Sequence, residues 1–233
     1  MEKEIISANY QNHKIIADIF PAGSTPQVFC MHGAGISNRK LFDPLRQLLA
    51  EKNIFSCALD FLGYGETGGD INQSSLKART KQAEIIIEKA HIVKPLTIIA
   101  NSMSGYNAIK LTEIYPVGLL ILSSPAVYTK ESYEIPFGDK FSSIIREPQS
   151  WNRTDAWGIL NTYKGKIVIL AGEKDNVIPF EVTQKIYDNA TQASYREIIA
   201  IPNAPHKLFS DYFKKHPEDL KVVVDKILTL LVR

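Results

Sequence analysis

Residues 96–100 read Leu-Thr-Ile-Ile-Ala, a strand-length run without a charged side chain, introduced by Pro95 and closed by Asn101 and Ser102. Side chains of a strand alternate between two faces, so a run that is apolar throughout has to be covered on both. The interior of a parallel sheet with helices above and below meets that condition; a half-solvated antiparallel sheet does not. A parallel sheet in turn needs a crossover between successive strands, usually a helix.

The rest of the chain supplies both parts. Short β-branched runs at 14–20, 27–32, 54–60, 117–122, 166–171 and 195–201 predict further strands. Amphipathic stretches predict helices over 43–52, 74–90, 103–115, 179–190 and 217–232. In the first of these, Asp43 is the expected cap and Pro44 the first helical residue. The alternation predicts an α/β fold with a mostly parallel central sheet flanked by helices, in a single domain over 1–233. Residues 126–165 break the rhythm with no clear strand, at a length beyond ordinary connections. They carry Tyr128, Tyr133, Phe137, Phe141, Trp151 and Trp157. We expect a small lid or cap insertion whose aromatics wall a pocket, with a decorated surface loop as the plainer alternative.

Lys and Arg number 27 against 25 Asp and Glu, a formal charge of +2. That balance offers no basic field for nucleic acid and no polybasic block for a membrane surface. The charged start of the chain lacks an apolar stretch of signal-peptide length, and no apolar run is long enough for a membrane span. Cys30 and Cys57 both fall in strand-like runs and are expected as buried free thiols in a reducing cytoplasm. The five histidines are scattered and no Cys/His ligand spacing occurs, so neither a metal nor a cofactor is expected.

The segment Ile98-Ile99-Ala100-Asn101-Ser102-Met103-Ser104-Gly105 puts a serine at the end of a buried strand, opening a helix. This is the setting of a nucleophile elbow, a turn so tight that the positions two before and two after the serine must be small. Ala100 and Ser104 satisfy that demand. A serine that merely caps a helix is the competing reading of the same string.

The other strand ends decide between these readings. Cys30-Met31-His32-Gly33-Ala34-Gly35, Asp60-Phe61-Leu62-Gly63-Tyr64-Gly65-Glu66-Thr67, Leu170-Ala171-Gly172-Glu173-Lys174-Asp175 and Asn203-Ala204-Pro205-His206 each follow a predicted strand. With the serine segment they resemble the α/β-hydrolase superfamily, over nearly the whole chain and in its order Ser, Asp, His. The family pattern has glycine where Ala100 and Ser104 stand. The resemblance implies Ser102 as nucleophile, His206 as general base and Asp175 as the acid that orients it, with Glu173 as the substitute acid. It implies an oxyanion hole from the backbone N–H groups of Ala34 and Met103. Asp60 and His32 are expected to hold their loops, and His13, His91 and His216 to lie at the surface.

Serine hydroxyls are weak nucleophiles at neutral pH and need a base within hydrogen-bond reach, a role that imidazole fills well. The expected reaction is hydrolysis of a small-molecule carboxylic ester through an acyl-enzyme. A thioester, acyl transfer or cleavage of a carbon–carbon bond would use the same groups. A member that only binds a small ligand in the old pocket is the alternative of another class.

Overall fold

All seven strands expected from the apolar runs form, each within two residues of its expected bounds. The computed structural model describes residues 1–231, so position 232 of the expected last helix lies outside the described residues. The strands are β2 (His13–Phe20), β3 (Val28–Met31), β4 (Ser56–Asp60), β5 (Leu96–Asn101), β6 (Val117–Ser123), β7 (Lys166–Gly172) and β8 (Tyr195–Ile201). An eighth, β1 (Glu4–Tyr10), was not expected. It pairs antiparallel with β2 at the sheet edge, and β2 pairs antiparallel with β4. The remaining pairs are parallel, and the order across the sheet is β1-β2-β4-β3-β5-β6-β7-β8.

The helices are α1 (Asp43–Ala50), α2 (Leu76–Lys89), α3 (Ser104–Leu111), α4 (Asp139–Ile145), α5 (Ala156–Thr162), α6 (Phe180–Asn189), α7 (Phe213–Lys215) and α8 (Pro217–Leu231). Asp43 is not the cap of α1 but its first residue, following Phe42. Its carboxylate takes the Lys3 ammonium at 2.6 Å instead of a backbone N–H. The helix expected over 103–115 ends at Leu111, and its last residues turn back as short loops.

Coverage of both faces is visible in β5 itself. Leu96, Ile98 and Ala100 join the core layer under α2, α3, α5 and α6, whereas Ile99 faces the opposite layer under α1 and α8. Cys57 belongs to the first layer and Cys30 to the second, so the two thiols lie on opposite sides of the sheet and remain free. Burial pushes the Cys30 thiol up to about 12, which leaves it protonated and inert.

Two features of this architecture place the site. From β3 the chain crosses to β4 on one side, and from β5 to β6 on the other, so the loops leaving β3 and β5 diverge at a switch point. A buried ionic cluster then fixes the loop after β3. The Arg39 guanidinium holds Asp18 at 2.7 Å and also pairs with Asp60, and Arg46 pairs with Asp18 at 2.5 Å. All four side chains are buried, so removing one partner would strand a charge, at a cost of about 3–5 kcal/mol. Residues 126–165 form two short helices, α4 and α5, and two 3-10 turns. Phe137 and Phe141 are buried, and Trp151 and Trp157 lie half-buried against the core. Among the described residues no helix is long and apolar enough to cross a membrane.

Candidate active site

Ser102 follows the last residue of β5 at φ 51°, a left-handed conformation that costs a non-glycine residue energy and needs outside support. The support is visible. Its N–H donates to the Ser123 carbonyl at 2.8 Å, and its carbonyl accepts from the Gly105 and Ala126 N–H groups at 2.8 and 3.0 Å. A peptide group is planar and trans, so anchoring the Ser102 carbonyl on that side turns the Met103 N–H to the other. Gly105 is required where it stands: a Cβ there would come within 2.8 Å of Pro125. Ala100 is fully buried, and Ser104 is more than a small residue, since its hydroxyl donates to the His32 carbonyl at 2.6 Å.

The carboxylate and imidazole come from the ends of β7 and β8. Asp175 Oδ1 accepts the N–H groups of Val177 and Ile178, both at 2.9 Å, which fixes the carboxylate and leaves Oδ2 for His206 Nδ1 at 2.8 Å. Burial raises the Asp175 carboxyl, but the hydrogen bonds from His206, Ile178 and Val177 outweigh it and hold the group below its ordinary value. An ionised carboxylate can only accept, so Nδ1 carries the proton and Nε2 offers a lone pair. Nε2 lies 3.1 Å from Ser102 Oγ. The loops carrying these groups approach so closely that a Cβ at Gly172 would collide with the Ala204 and Pro205 carbonyls. Glu173 points elsewhere, accepting the Asn203 N–H at 3.1 Å. His216 stacks on Tyr212 and contacts Glu218 at 3.3 Å.

His32 and Asp60 hold loops. Burial and the neighbouring Arg79 keep the His32 ring neutral, its pKa well below the usual imidazole value. Its Nδ1 bonds the Gly33 carbonyl at 2.7 Å, and its Nε2 accepts the Phe61 N–H at 3.3 Å. Asp60 accepts the N–H groups of Arg39 and Glu66 at 2.6 and 2.9 Å. A Cβ at Gly65 would strike that carboxylate.

A cavity of about 450 Å³ opens at Ser102 and His206, with Ala34 in its wall. Gly33 lies against the elbow: a Cβ there would sit 3.1 Å from Ser102 Cβ. The remaining walls were not anticipated. Ile36, Ser37 and Leu41 form one side, and Lys207, Ser210 and Asp211 the other. Ser210 and Asp211 belong to a π-helical turn, Leu208–Tyr212, that begins two residues after His206 and directly follows Lys207. An apolar residue in the small-residue loop Gly35-Ile36-Ser37 is the one sequence signal that could have marked the first wall. Elsewhere, His216, Glu218 and Asp219 gather ligand-type atoms within 4.8 Å of one another, although Asp219 already accepts the Tyr212 hydroxyl at 2.8 Å.

Comparisons with known proteins bear on the fold and the family. The chain is 24% identical over 201 residues to the uncharacterized protein YfhR of Salmonella typhimurium, covering 80% of this chain and 66% of that protein. An esterase of Pyrococcus furiosus superposes with a TM-score of 0.73 at 20% identity, covering 98% of this chain and 91% of that one. Est1E of Butyrivibrio proteoclasticus, solved with ferulic acid bound, gives 0.73 at 15% identity, covering 98% and 100%. Likeness at such identities establishes a common fold. The family model described as serine aminopeptidase, S33, matches residues 24–153, more than half of the chain, and the protein therefore belongs to this family of α/β-hydrolase serine hydrolases.

Proposed function

We propose that this protein hydrolyses carboxylic esters of small molecules, with Ser102 as nucleophile, His206 as general base and acid, and Asp175 as the group that orients His206. The observation that carries this reading is the hydrogen-bond chain from Ser102 Oγ through His206 to Asp175, built on a serine held at positive φ. Ser102 Oγ attacks the ester carbonyl carbon while His206 Nε2 takes its proton. The carbonyl oxygen becomes an anion between the Ala34 and Met103 N–H groups. On collapse the bond to the alcohol oxygen breaks, and His206 returns the proton to that leaving group. Water then attacks the acyl-enzyme, giving its proton to His206. Collapse releases the carboxylic acid and restores the Ser102 hydroxyl.

The family description names an aminopeptidase, whose substrate would present a cationic amino group. The only carboxylate in the described cavity walls is Asp211, and it is already paired with Lys215 at 2.8 Å. That favours a neutral ester over an aminoacyl amide. Thioesters and acyl transfer remain within reach of the same groups. We further propose that residues 126–165 cap the single domain. The described cavity walls come from residues 34–41, 101–102 and 206–211, so substitutions at Ile36 and Ser210 belong beside those at Trp151 and Trp157 in any test of acyl-length preference. The proposed setting is the cytoplasm, in keeping with the two free thiols.

The test is labelling with a fluorophosphonate, followed by peptide mapping and turnover of aryl esters, acyl thioesters and aminoacyl anilides. Modification of Ser102 with ester turnover is expected. Absence of labelling together with retained ligand binding would support the non-catalytic alternative, and anilide turnover above ester turnover would restore the aminopeptidase.

Asp175→Asn is expected to lower kcat by up to about 10⁴-fold, because an amide permits the wrong histidine tautomer. Glu173→Gln, which touches only the Asn203 amide, should cost far less, and equal losses would leave the acid unassigned. A carboxyl lowered on folding stabilises the native state above its unfolded pKa, and that contribution is lost as pH falls through the lower folded value. Melting curves from pH 5 downward should therefore show an acid-dependent loss in the wild type that is smaller in Asp175→Asn.

A further inference from the structure

Arg79 is the one feature near the site that neither the fold nor the triad explains. It lies on α2 at 0% exposure, and among the described residues its guanidinium has no carboxylate partner. An unpaired buried cation is costly, so its surroundings should reveal what holds it there. It lies over Phe61, 3.9 Å from the ring centroid. Apart from the Tyr64 hydroxyl on the loop after β4, the acceptors it reaches belong to the two loops that carry the proposed oxyanion donors. Nη2 lies 2.5 Å from the His32 carbonyl, 3.3 Å from the Gly33 carbonyl and 3.0 Å from Ser104 Oγ, and Nη1 lies 3.2 Å from Met103 Sδ.

The Gly33 carbonyl and the Ala34 N–H are the two ends of one peptide plane. A donor on the carbonyl turns the N–H to the opposite side, which is where Ala34 lines the cavity. That carbonyl takes both Arg79 and His32 Nδ1, and hydrogen bonds in a chain polarise one another, so the Ala34 N–H becomes a stronger donor. Ser104 completes the tie by donating to the His32 carbonyl while accepting from Arg79. The N-terminal end of α3 adds its partial positive charge to the guanidinium in the same place. Two positive features without a counter-ion therefore converge where the proposed reaction develops a negative oxygen.

We propose that Arg79 is a positioning residue for acyl transfer: it aims and polarises the Ala34 amide through the Gly33 carbonyl, clamps the loop after β3 to the elbow through Ser104, and pre-charges the oxyanion site. The inference rests on the reading of Ser102 as nucleophile. It predicts an effect on the tetrahedral state and little on the ground state. Burial lowers the guanidinium only to about 10, so it remains cationic at neutral pH.

The experiment compares wild type, Arg79→Lys, Arg79→Met and Ser104→Ala in the full chain. The readouts are kcat and KM for an aryl ester, and inhibition by a trifluoromethyl ketone and by the neutral secondary alcohol of the same skeleton. The ketone forms a tetrahedral oxyanion adduct with an activated serine and the alcohol does not. Losing one oxyanion donor outright costs about 10²–10³-fold, so a misaimed donor in Arg79→Met should cost about 10- to 100-fold in kcat. KM and alcohol binding should move less than about threefold, while ketone affinity falls in proportion to kcat/KM. Arg79→Lys, which keeps the charge, should recover part of the loss. Should neither Arg79 variant fold, Ser104→Ala decides, with an expected loss of about 3- to 10-fold in kcat matched in ketone affinity. Wild-type kcat in folded Arg79→Met, equal losses for ketone and alcohol, or an unaffected Ser104→Ala where the Arg79 variants do not fold would each overturn the proposal. A wild type that reacts with neither ketone nor fluorophosphonate rejects the Ser102 reading itself and this inference with it, whereas a reactive wild type isolates the failure to Arg79.

Discussion

Ser102→Ala is expected to lower kcat by on the order of 10⁶-fold and to abolish fluorophosphonate labelling, while the protein folds as before. The size follows from the hydroxyl's being the proposed group that bonds to the substrate: no second nucleophile can take its place without rebuilding the elbow. The retained fold follows from how the turn is held. The positive φ of Ser102 is sustained by backbone bonds to Ser123, Gly105 and Ala126, and alanine keeps all three. The described side-chain bond lost is the one to His206. Single-turnover kinetics and a melting curve on the same preparation separate the two effects. Peptide mapping guards against a shifted register, because a label found on Ser104 would move the nucleophile two residues and undo the assignment. Ser104→Ala should cost far less than Ser102→Ala, since its hydroxyl serves the loop contacts described above.

His206→Ala should be about as damaging, also on the order of 10⁶-fold in kcat, since a hydroxyl without its base is nearly inert and triad members act as a unit. His206 makes both bonds of the relay, 2.8 Å to Asp175 and 3.1 Å to Ser102, and no other histidine among the described residues contacts either partner. His216→Ala removes a stacking contact with Tyr212 and leaves the relay whole, so its activity should stay close to wild type. Initial rates for the two variants settle the matter. The reverse ranking would place the base on the segment leading into α8 and leave the β8 loop without a role.

The parts of this molecule legible in its sequence are those where burial leaves no freedom. Strands β5, β6 and β7 are apolar on both faces because helices cover both, and the composition of residues 96–100 states that requirement directly. The candidate serine and acid follow β5 and β7, strands of this kind, whereas the candidate histidine follows β8, a partly exposed edge strand that carries Arg196 and Glu197. What could not be read lies where exposure or a charged side chain weakens the pattern. Strand β1, Glu-Ile-Ile-Ser-Ala-Asn-Tyr, is a partly exposed edge strand paired with β2, with Ile6, Ala8 and Tyr10 only partly buried against the core, and its alternation carries little apolar signal. The cavity walls at Ile36 and Ser210 belong to a loop and to a π-helical turn, which carry no apolar periodicity to mark them. Arg79 sits three residues after Leu76 and four before Ala83, on the apolar stripe of α2, yet a charged helix residue is ordinarily assigned to solvent. A cation on the apolar stripe of a helix beside a glycine-rich loop is the signal that could have exposed it.

The two walls of the cavity differ in what they can tolerate over evolutionary time. The π-helical turn Leu208–Tyr212 starts two residues beyond His206, so one wall is continuous in the chain with the loop that holds the proposed base. Any insertion or substitution that reshapes that wall also displaces the imidazole, and a shift of about 1 Å in such a group can cost 10²-fold in rate. The facing wall, Ile36 to Leu41, is anchored by the ionic cluster at Arg39 and carries none of the three relay residues. Substitutions on that side can therefore reshape the cavity while leaving the three relay residues in place, provided the Ala34 amide keeps its aim. Adaptive variation should accumulate at positions 36, 37 and 41 and be scarce at 207–211, and a library randomised over the first set should return more active variants with altered preference than one randomised over the second.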